Sequence, residues 1–328
     1  MIMNEDGAPR IAQALSRVPQ GSVQVDAPDG LAWAENVAPR TDGRGWITLR
    51  EVLPGVYLAA GFFHAGQMSL TPPAGENILE INHCWSGRAG WNLRDGRSVY
   101  LGEGDVVLHS LGAREDGVTL FPLGYGQGAA LWVDLEALAK AGPEPLRRAG
   151  VDLEEVYRRF CAPGRPLRIP AGPELAALCS ALHQGIHTFT ATALEQKALA
   201  LLLYLLRPQT QGQPVLQFRA QQTDLMCAIH AQLIANLDRR ITIGELSKQH
   251  FVNTATLKAA FKVVYGQPIA SYMKAYRVHK AMQVLRDSDE SIASLSLRLG
   301  YETQGKFAKA FKNVARMTPS QYRQGCRS

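Results

Sequence analysis

Hydrophobic residues along this chain fall into three regimes. Between residues 46 and 134 they come in short runs broken by glycine: WITLREV, VYLAAGFFH, ENILEINHCWSG, AGWNLRDGRSVYLGEGDVVLHS and AALWVDL. Alternation within these runs, with Asp95-Gly96 between two of them, predicts short strands joined by tight turns and hence a small β-barrel or sandwich. From Pro173 to Leu206 the spacing becomes helical and predicts two helices, the second apolar nearly all round over Ala198–Leu206 and therefore buried. That run is far too short to span a bilayer. The breaker-rich RPQTQGQPV at 207–215 reads as a linker.

The third regime is a duplication. Leu257, Ala260, Phe261, Lys262, Val264 and Tyr272 are answered fifty positions later by Phe307, Ala310, Phe311, Lys312, Val314 and Tyr322. Ile243, Leu246 and Ser247 recur forty-nine positions later as Ile292, Leu295 and Ser296. Each copy reads as two helices around a break. In the first, Asn253 caps a helix running from about Thr254 to Val264 and stopping at Gly266; in the second, Ser291 caps a helix ended by Gly300 and a new one starts near Thr303. This is helix-turn-helix patterning. Between the copies, Pro268 opens a long helix to about Arg286, roughly 28 Å at 1.5 Å per residue. Such a rod suits two readers set in successive major grooves about 34 Å apart.

Charge sharpens the picture. Residues 219–328 hold 17 Lys and Arg against 7 Asp and Glu, leaving 18 against 22 in residues 1–218. The basic excess belongs to the tail, which implies a polyanion partner and salt-dependent affinity.

The run from ITIGELSKQHFVNTATLKAAFK through SIASLSLRLGY, KFAKAFKN and MTPSQYR resembles the DNA-binding domain of AraC/XylS-type transcription regulators. The resemblance implies that Thr254, Ala255, Lys258 and Ala259 in the first reading helix, and Thr303, Gln304, Ala308 and Lys309 in the second, face base edges. Gln304 suits an adenine edge and Lys309 a guanine, whereas Ala255 and Ala259 can only meet a thymine methyl. Lys262 and Lys312 lie later on their helices and suit phosphate. Two departures from the family stand out: Arg316 where a glycine is usual, and Gly305 inside the first turn of the second reading helix.

Ahead of the tail, LGEGDVVLH resembles the second conserved motif of cupin barrels, a fold that AraC-type regulators carry as a sensor domain. The aromatic residues of this region, with a few polar groups among them, describe a small-molecule site lined by Phe63, His83, Trp85, Trp91, His109 and Trp132. Strand alternation puts His83 and Trp85 on one face and points Asn92 away from Trp91. No His-x-His pair is present, so although His64, His83 and His109 could converge, neither a metal nor another cofactor is expected. Catalytic fingerprints such as GxSxG, HExxH and the Walker and dinucleotide motifs are also missing, and no enzyme activity is expected. Five unpatterned cysteines fit reduced thiols, and the N-terminal residues lack a signal-peptide core; both indicate a cytoplasmic protein, globular after its first twenty or so residues.

These readings combine into an α+β chain. Residues 1–170 form a cupin-like sensor barrel, 171–215 a helical dimerisation segment and linker, and 216–328 an all-α DNA-binding domain with helix-turn-helix units at 241–266 and 290–316. The function expected is a sequence-specific transcription regulator, more often an activator in such a family, under control of a small-molecule effector. Its partners would be a double-stranded operator with tandem half-sites, the effector, a second copy of the chain and RNA polymerase, with no membrane. The alternatives are a cupin-type metal-dependent enzyme fused to a DNA-binding domain, revealed by metal and turnover, and a regulator whose barrel senses nothing.

Overall fold

The computed structural model describes residues 15–27, 39–71, 77–162, 164–186 and 188–326. Two compact units, 2–220 and 221–328, each have their own core. Most of the N-terminal stretch expected to lie outside the globular fold, residues 1–14, is outside the described residues. Leu15 and Val18 directly after it are buried, so packing starts earlier than residue 20.

The first unit is built from β1 (Ser22–Asp26), β2 (Arg40–Thr41), β3 (Arg44–Leu53), β4 (Val56–His64), β5 (Gln67–Ser69), β6 (Ile78–Gly87), β7 (Ala89–Asn92), β8 (Arg97–Leu101), β9 (Val106–Ser110), β10 (Val118–Leu120), β11 (Gly126–Asp134), β12 (Leu167–Ile169), β13 (Gln213–Pro214) and β14 (Phe218–Arg219). They form two sheets, ordered β1-β3-β4-β11-β6-β9-β12-β13 and β14-β8-β7-β10-β5-β2. The antiparallel pairing of β11 with β4 and β6 sets the register, and the two-residue period then sorts side chains between faces. Leu58, Leu79, Ile81, Leu131 and Val133 lie on one face, in a core shared with Leu194, Ala198, Leu201, Leu202 and Leu205 of helix Ala191–Leu206. Helix Pro173–Gly185 adds Leu175, Cys179 and Leu182 to the same core. Ile47, Ala59, Phe63, Ile78 and Trp132 take the other face, with Met68 of the smaller sheet. Further along, Cys84 and Val107 meet Trp91, Val99 and Leu101 of the smaller sheet. The unit is a two-sheet, cupin-like barrel with a helical layer outside.

Turn chemistry supports this register. At Asp95-Gly96 the strands β7 and β8 reverse, with Gly96 at φ 77° and Asp95 Oδ1 accepting from the Arg97 amide at 3.1 Å. In the LGEGD segment Gly104 sits at φ 80° and Asp105 Oδ2 accepts from the Gly102 amide at 2.8 Å.

The second unit is helical. Its helices are Ala220–Ala235, Ile243–Gln249, Thr254–Tyr265, Ile269–Asp287, Ile292–Arg298, Gln304–Ala315 and Pro319–Gly325. The 19 residues of Ile269–Asp287 give a rod of about 28 Å. The duplication extends to hydrogen bonding: the Val252 amide donates to the Ser247 carbonyl and the Tyr301 amide to that of Ser296, at 3.2 and 3.0 Å. Thr242 and Glu245 form a capping box, Asn253 caps the first reading helix, and Thr303 caps the second.

Left-handed backbone recurs at matched positions. Gly300 in the second turn has φ 75°, and its counterpart in the first is Phe251 at φ 52°; Gly266 ends the first reading helix at φ 79°, and its counterpart is Arg316 at φ 61°. A side chain in this region costs about 1–2 kcal/mol, partly offset by the entropy a glycine loses on folding. Phe251 is 97% exposed and has few contacts to lose. Phe251→Gly and Arg316→Gly should therefore each stabilise the second unit, by up to about 1 kcal/mol. Thermal melts of the full chain check this; a lowered midpoint for either variant would mean the side chain contributes more than its backbone strain.

Candidate nucleic-acid interface and barrel cavity

In the second unit both reading helices are held by their apolar faces. Leu257, Ala260, Phe261 and Val264 of Thr254–Tyr265 are buried, as are Phe307, Ala310 and Phe311 of Gln304–Ala315. Phe307 and Phe311 share a core with Val278, Ala281 and Leu285 of the long helix. The positions between these anchors face outward. Thr254, Ala255, Lys258, Ala259 and Lys262 are exposed on the first helix, and Thr303, Gln304, Lys309 and Lys312 on the second, while Ala308 is half-buried. Thr303 also caps its helix, its hydroxyl accepting from the Lys306 amide at 3.2 Å. Gly305 is exposed, and a Cβ there would meet open space.

Among the described residues, no carboxylate pairs with Lys258, Lys262, Lys309 or Lys312, whereas Lys306 is engaged by Glu302. Elsewhere Glu290 ties the second helix-turn-helix together, bonded to Arg298 and to the Ser294 hydroxyl, with its carbonyl taken by Arg323. Beneath the first copy, His230 stacks on Tyr265 with centroids 4.6 Å apart and reaches the Tyr272 hydroxyl at 2.9 Å. Burial lowers its pKa from 6.5 to about 4.

The barrel interior holds a cavity of about 110 Å³ whose walls include Phe63, Met68, Phe121 and Trp132. A buried carboxylate stands in its wall. Glu80 is 1% exposed, and its Oε1 accepts from Trp132 Nε1 and from Arg114, both at 3.1 Å. His109 Nε2 lies 3.1 Å from Oε2. Burial pushes the Glu80 pKa up, but Arg114, His109 and Trp132 together outweigh it and bring it from 4.5 down to about 2. Arg114 also donates to the Val118 carbonyl and the Thr119 hydroxyl at 2.7 and 3.2 Å, and Trp91 stacks on His109 at 4.9 Å.

Of the six predicted pocket residues, Phe63, His83, Trp91 and Trp132 line the cavity. His109 lies one layer behind, in contact with Glu80. Trp85 does not line it and instead stacks on His183 of the outer helical layer, at 4.6 Å. Asn92 bonds the Ser98 hydroxyl at 2.6 Å. His64, His83 and His109 do not gather: among the described residues no group of three His, Cys, Asp or Glu is placed to hold a metal. Arg114 was not foreseen. It stands in an irregular connection after β9, where no periodicity marks a buried side chain.

Two outcomes follow. Glu80→Ala leaves the buried Arg114 facing no carboxylate and should destabilise the barrel by about 3–5 kcal/mol, read as a loss in denaturant melts; a change below ~1 kcal/mol would show the cluster to be hydrated. For His230, the folded ring stays neutral down to about pH 4 whereas the unfolded ring takes a proton near 6.5. Stability of the second unit is therefore full above pH 6.5 and falls as pH drops from 6.5 toward 4. His230→Phe should reduce that dependence, the rest falling to His279, whose pKa burial likewise lowers to about 4; an unaltered pH profile would remove His230 as a source.

Known proteins are similar to the C-terminal part of the chain. A family model described as "Helix-turn-helix domain" matches residues 246–325. The transcriptional activator RhaR of Mannheimia succiniciproducens is 24% identical over 125 residues, 38% of this chain and 44% of that protein. A putative AraC-like transcription regulator of Streptomyces lividans is 33% identical over 85 residues, 26% of this chain and 28% of that protein. The chain thus spans less than half the length of these curated relatives. The DNA-binding domain of AdpA, solved with a target DNA, is 20% identical, covering 31% of this chain and 92% of that one at a TM-score of 0.30. Among the described residues no helix is long and apolar enough to cross a membrane. With two capped reading helices presented outward on one long rod, the C-terminal domain is a helix-turn-helix domain of the AraC type.

Proposed function

We propose that this regulator acts in the cytoplasm as a sequence-specific protein whose barrel binds a small-molecule effector. The observation that carries the reading is the pairing of two outward reading faces, whose lysines have no carboxylate partner among the described residues, with an apolar-walled cavity in the other unit. The first reading helix lies in one major groove and the second in the next, about 34 Å along the duplex. Lys309 and Gln304 read bases; Lys262 and Lys312 contact phosphate and set position. Thr254, Ala255, Lys258, Ala259 and Thr303 complete the two faces. A second copy joins through the helices of residues 171–215, and RNA polymerase is the downstream partner. The effector acts by binding one arrangement of barrel and tail more tightly than another, since equal affinity would shift nothing.

Selection of random or genomic DNA by the full chain at two salt concentrations should enrich a bipartite site with half-sites one helical turn apart. Failure to enrich any sequence, with and without pooled metabolites, would remove the reading. On the enriched operator, Lys309→Ala should reduce discrimination among variants by about 1–3 kcal/mol; an equal loss on all sequences would make it a phosphate contact. Lys312→Ala should weaken every sequence alike and lower the salt slope by about one, so an unchanged slope would exclude it from the phosphates.

A further inference from the structure

We propose that the barrel cavity takes an uncharged, single-ring aromatic compound bearing one hydrogen-bond acceptor, and that it rejects a carboxylate of the same shape. The inference deepens the effector-controlled reading above and rests on it.

Size and shape come from the walls. Phe63 and Phe121 lie stacked, with centroids 4.9 Å apart and planes at 18°, beside Met68 and Trp132. At about 110 Å³ the cavity approaches the ~150 Å³ of an apolar cavity that takes up benzene. A flat ring fits with small side-chain movements.

Charge is settled by the one ion pair in the wall. Among the described residues, Glu80 and Arg114 are the only Asp, Glu, Lys or Arg lining the cavity, and they pair with each other at 3.1 Å. The terminal nitrogens of Arg114 are already committed to Glu80, the Val118 carbonyl and the Thr119 hydroxyl. An entering carboxylate would lose its hydration and lie near Glu80, which already offsets the Arg114 charge. His83, also in the lining, supplies no positive charge at neutral pH because burial lowers its pKa to about 4. A cation fares no better, since the Glu80 oxygens are occupied by donors from Arg114, Trp132 and His109. Only an uncharged molecule enters without losing solvation that the wall cannot replace.

The acceptor follows from two donors left over. Trp91 Nε1 and Arg114 Nε are buried and have no hydrogen-bond partner among the described residues, although both residues line the cavity. Buried donors without partners are rare in folded proteins. A carbonyl or hydroxyl oxygen on the ring would satisfy one of them.

Acetophenone, benzoate, benzylammonium and ethylbenzene share one ring and differ in charge and acceptor. Calorimetric titration of the full chain at pH 7 should show saturable binding of acetophenone, with benzoate and benzylammonium at least about tenfold weaker. Trp91→Phe keeps an aromatic ring and removes the N–H. It should weaken acetophenone about fivefold or more while leaving ethylbenzene unchanged. Benzoate binding as tightly as acetophenone, or no saturable acetophenone binding at millimolar concentrations by protein that melts cooperatively, overturns the proposal. Equal weakening of acetophenone and ethylbenzene by Trp91→Phe overturns the assignment of the acceptor. The regulator reading is tested apart: protein that selects operators without binding acetophenone loses only the ligand class, whereas protein that binds acetophenone but selects no DNA loses only the regulator.

Discussion

A carboxylate in a dry interior must be matched on the spot, and Glu80 imposes that condition on the barrel. Its partners come from β9, β11 and the connection at Arg114, so the ion pair with its hydrogen bonds forms only when the strands are in register. A one-residue slip of β6 would turn Glu80 into the apolar layer shared with Leu79 and Ile81 and bring leucine and isoleucine to the cavity. Because replacing such a cluster by hydrocarbon is often neutral or stabilising, stability alone does not account for it. It can form in one register only, and it gives an apolar cavity one polar wall.

The second unit meets a different constraint, that two copies of one motif hang from a single helix. The shared bonds at Ser247 and Ser296, the N-caps Asn253 and Thr303, and the buried pairs Phe261 and Phe311 show how closely the copies match. Their left-handed positions divide evenly. Each copy keeps one glycine and accepts one residue with a side chain, Phe251 at the turn of the first and Arg316 at the end of the second. Duplication thus fixes the backbone path more firmly than the residues that follow it.

What could be read from the chain follows from the range of the interactions involved. The repeat, the caps and the hairpin at Asp95-Gly96 are local, and each carries its own spacing or turn residue, so they were legible. Alternation likewise set His83 beside Trp85, and their rings meet edge to face at 6.0 Å, but which face is interior depends on what the helices cover, and helix Pro173–Gly185 covers Trp85 through His183. That is why Trp85 was grouped with the cavity and lies outside it. Arg114 was illegible for a stronger reason: its burial depends on Glu80, thirty-four residues earlier, and nothing adjacent to it in sequence reports that pairing.

Unequal side chains on equivalent backbones also bear on how the proposed complex would discriminate. The first reading helix offers alanine at 255 and 259, with methyl groups that distinguish a base only through thymine. In the second, Lys309 stands at the position equivalent to Ala259 and can donate to a guanine edge, while Gln304 opens the helix with a side chain suited to adenine. Lys262 and Lys312, by contrast, are the same residue in both copies and are exposed in both. Electrostatic attachment would then be shared evenly between the units while base selection is concentrated in the second. A half-site facing the first unit could vary with little loss, provided its phosphates remain in place to hold the rod at one groove spacing from the half-site that is read.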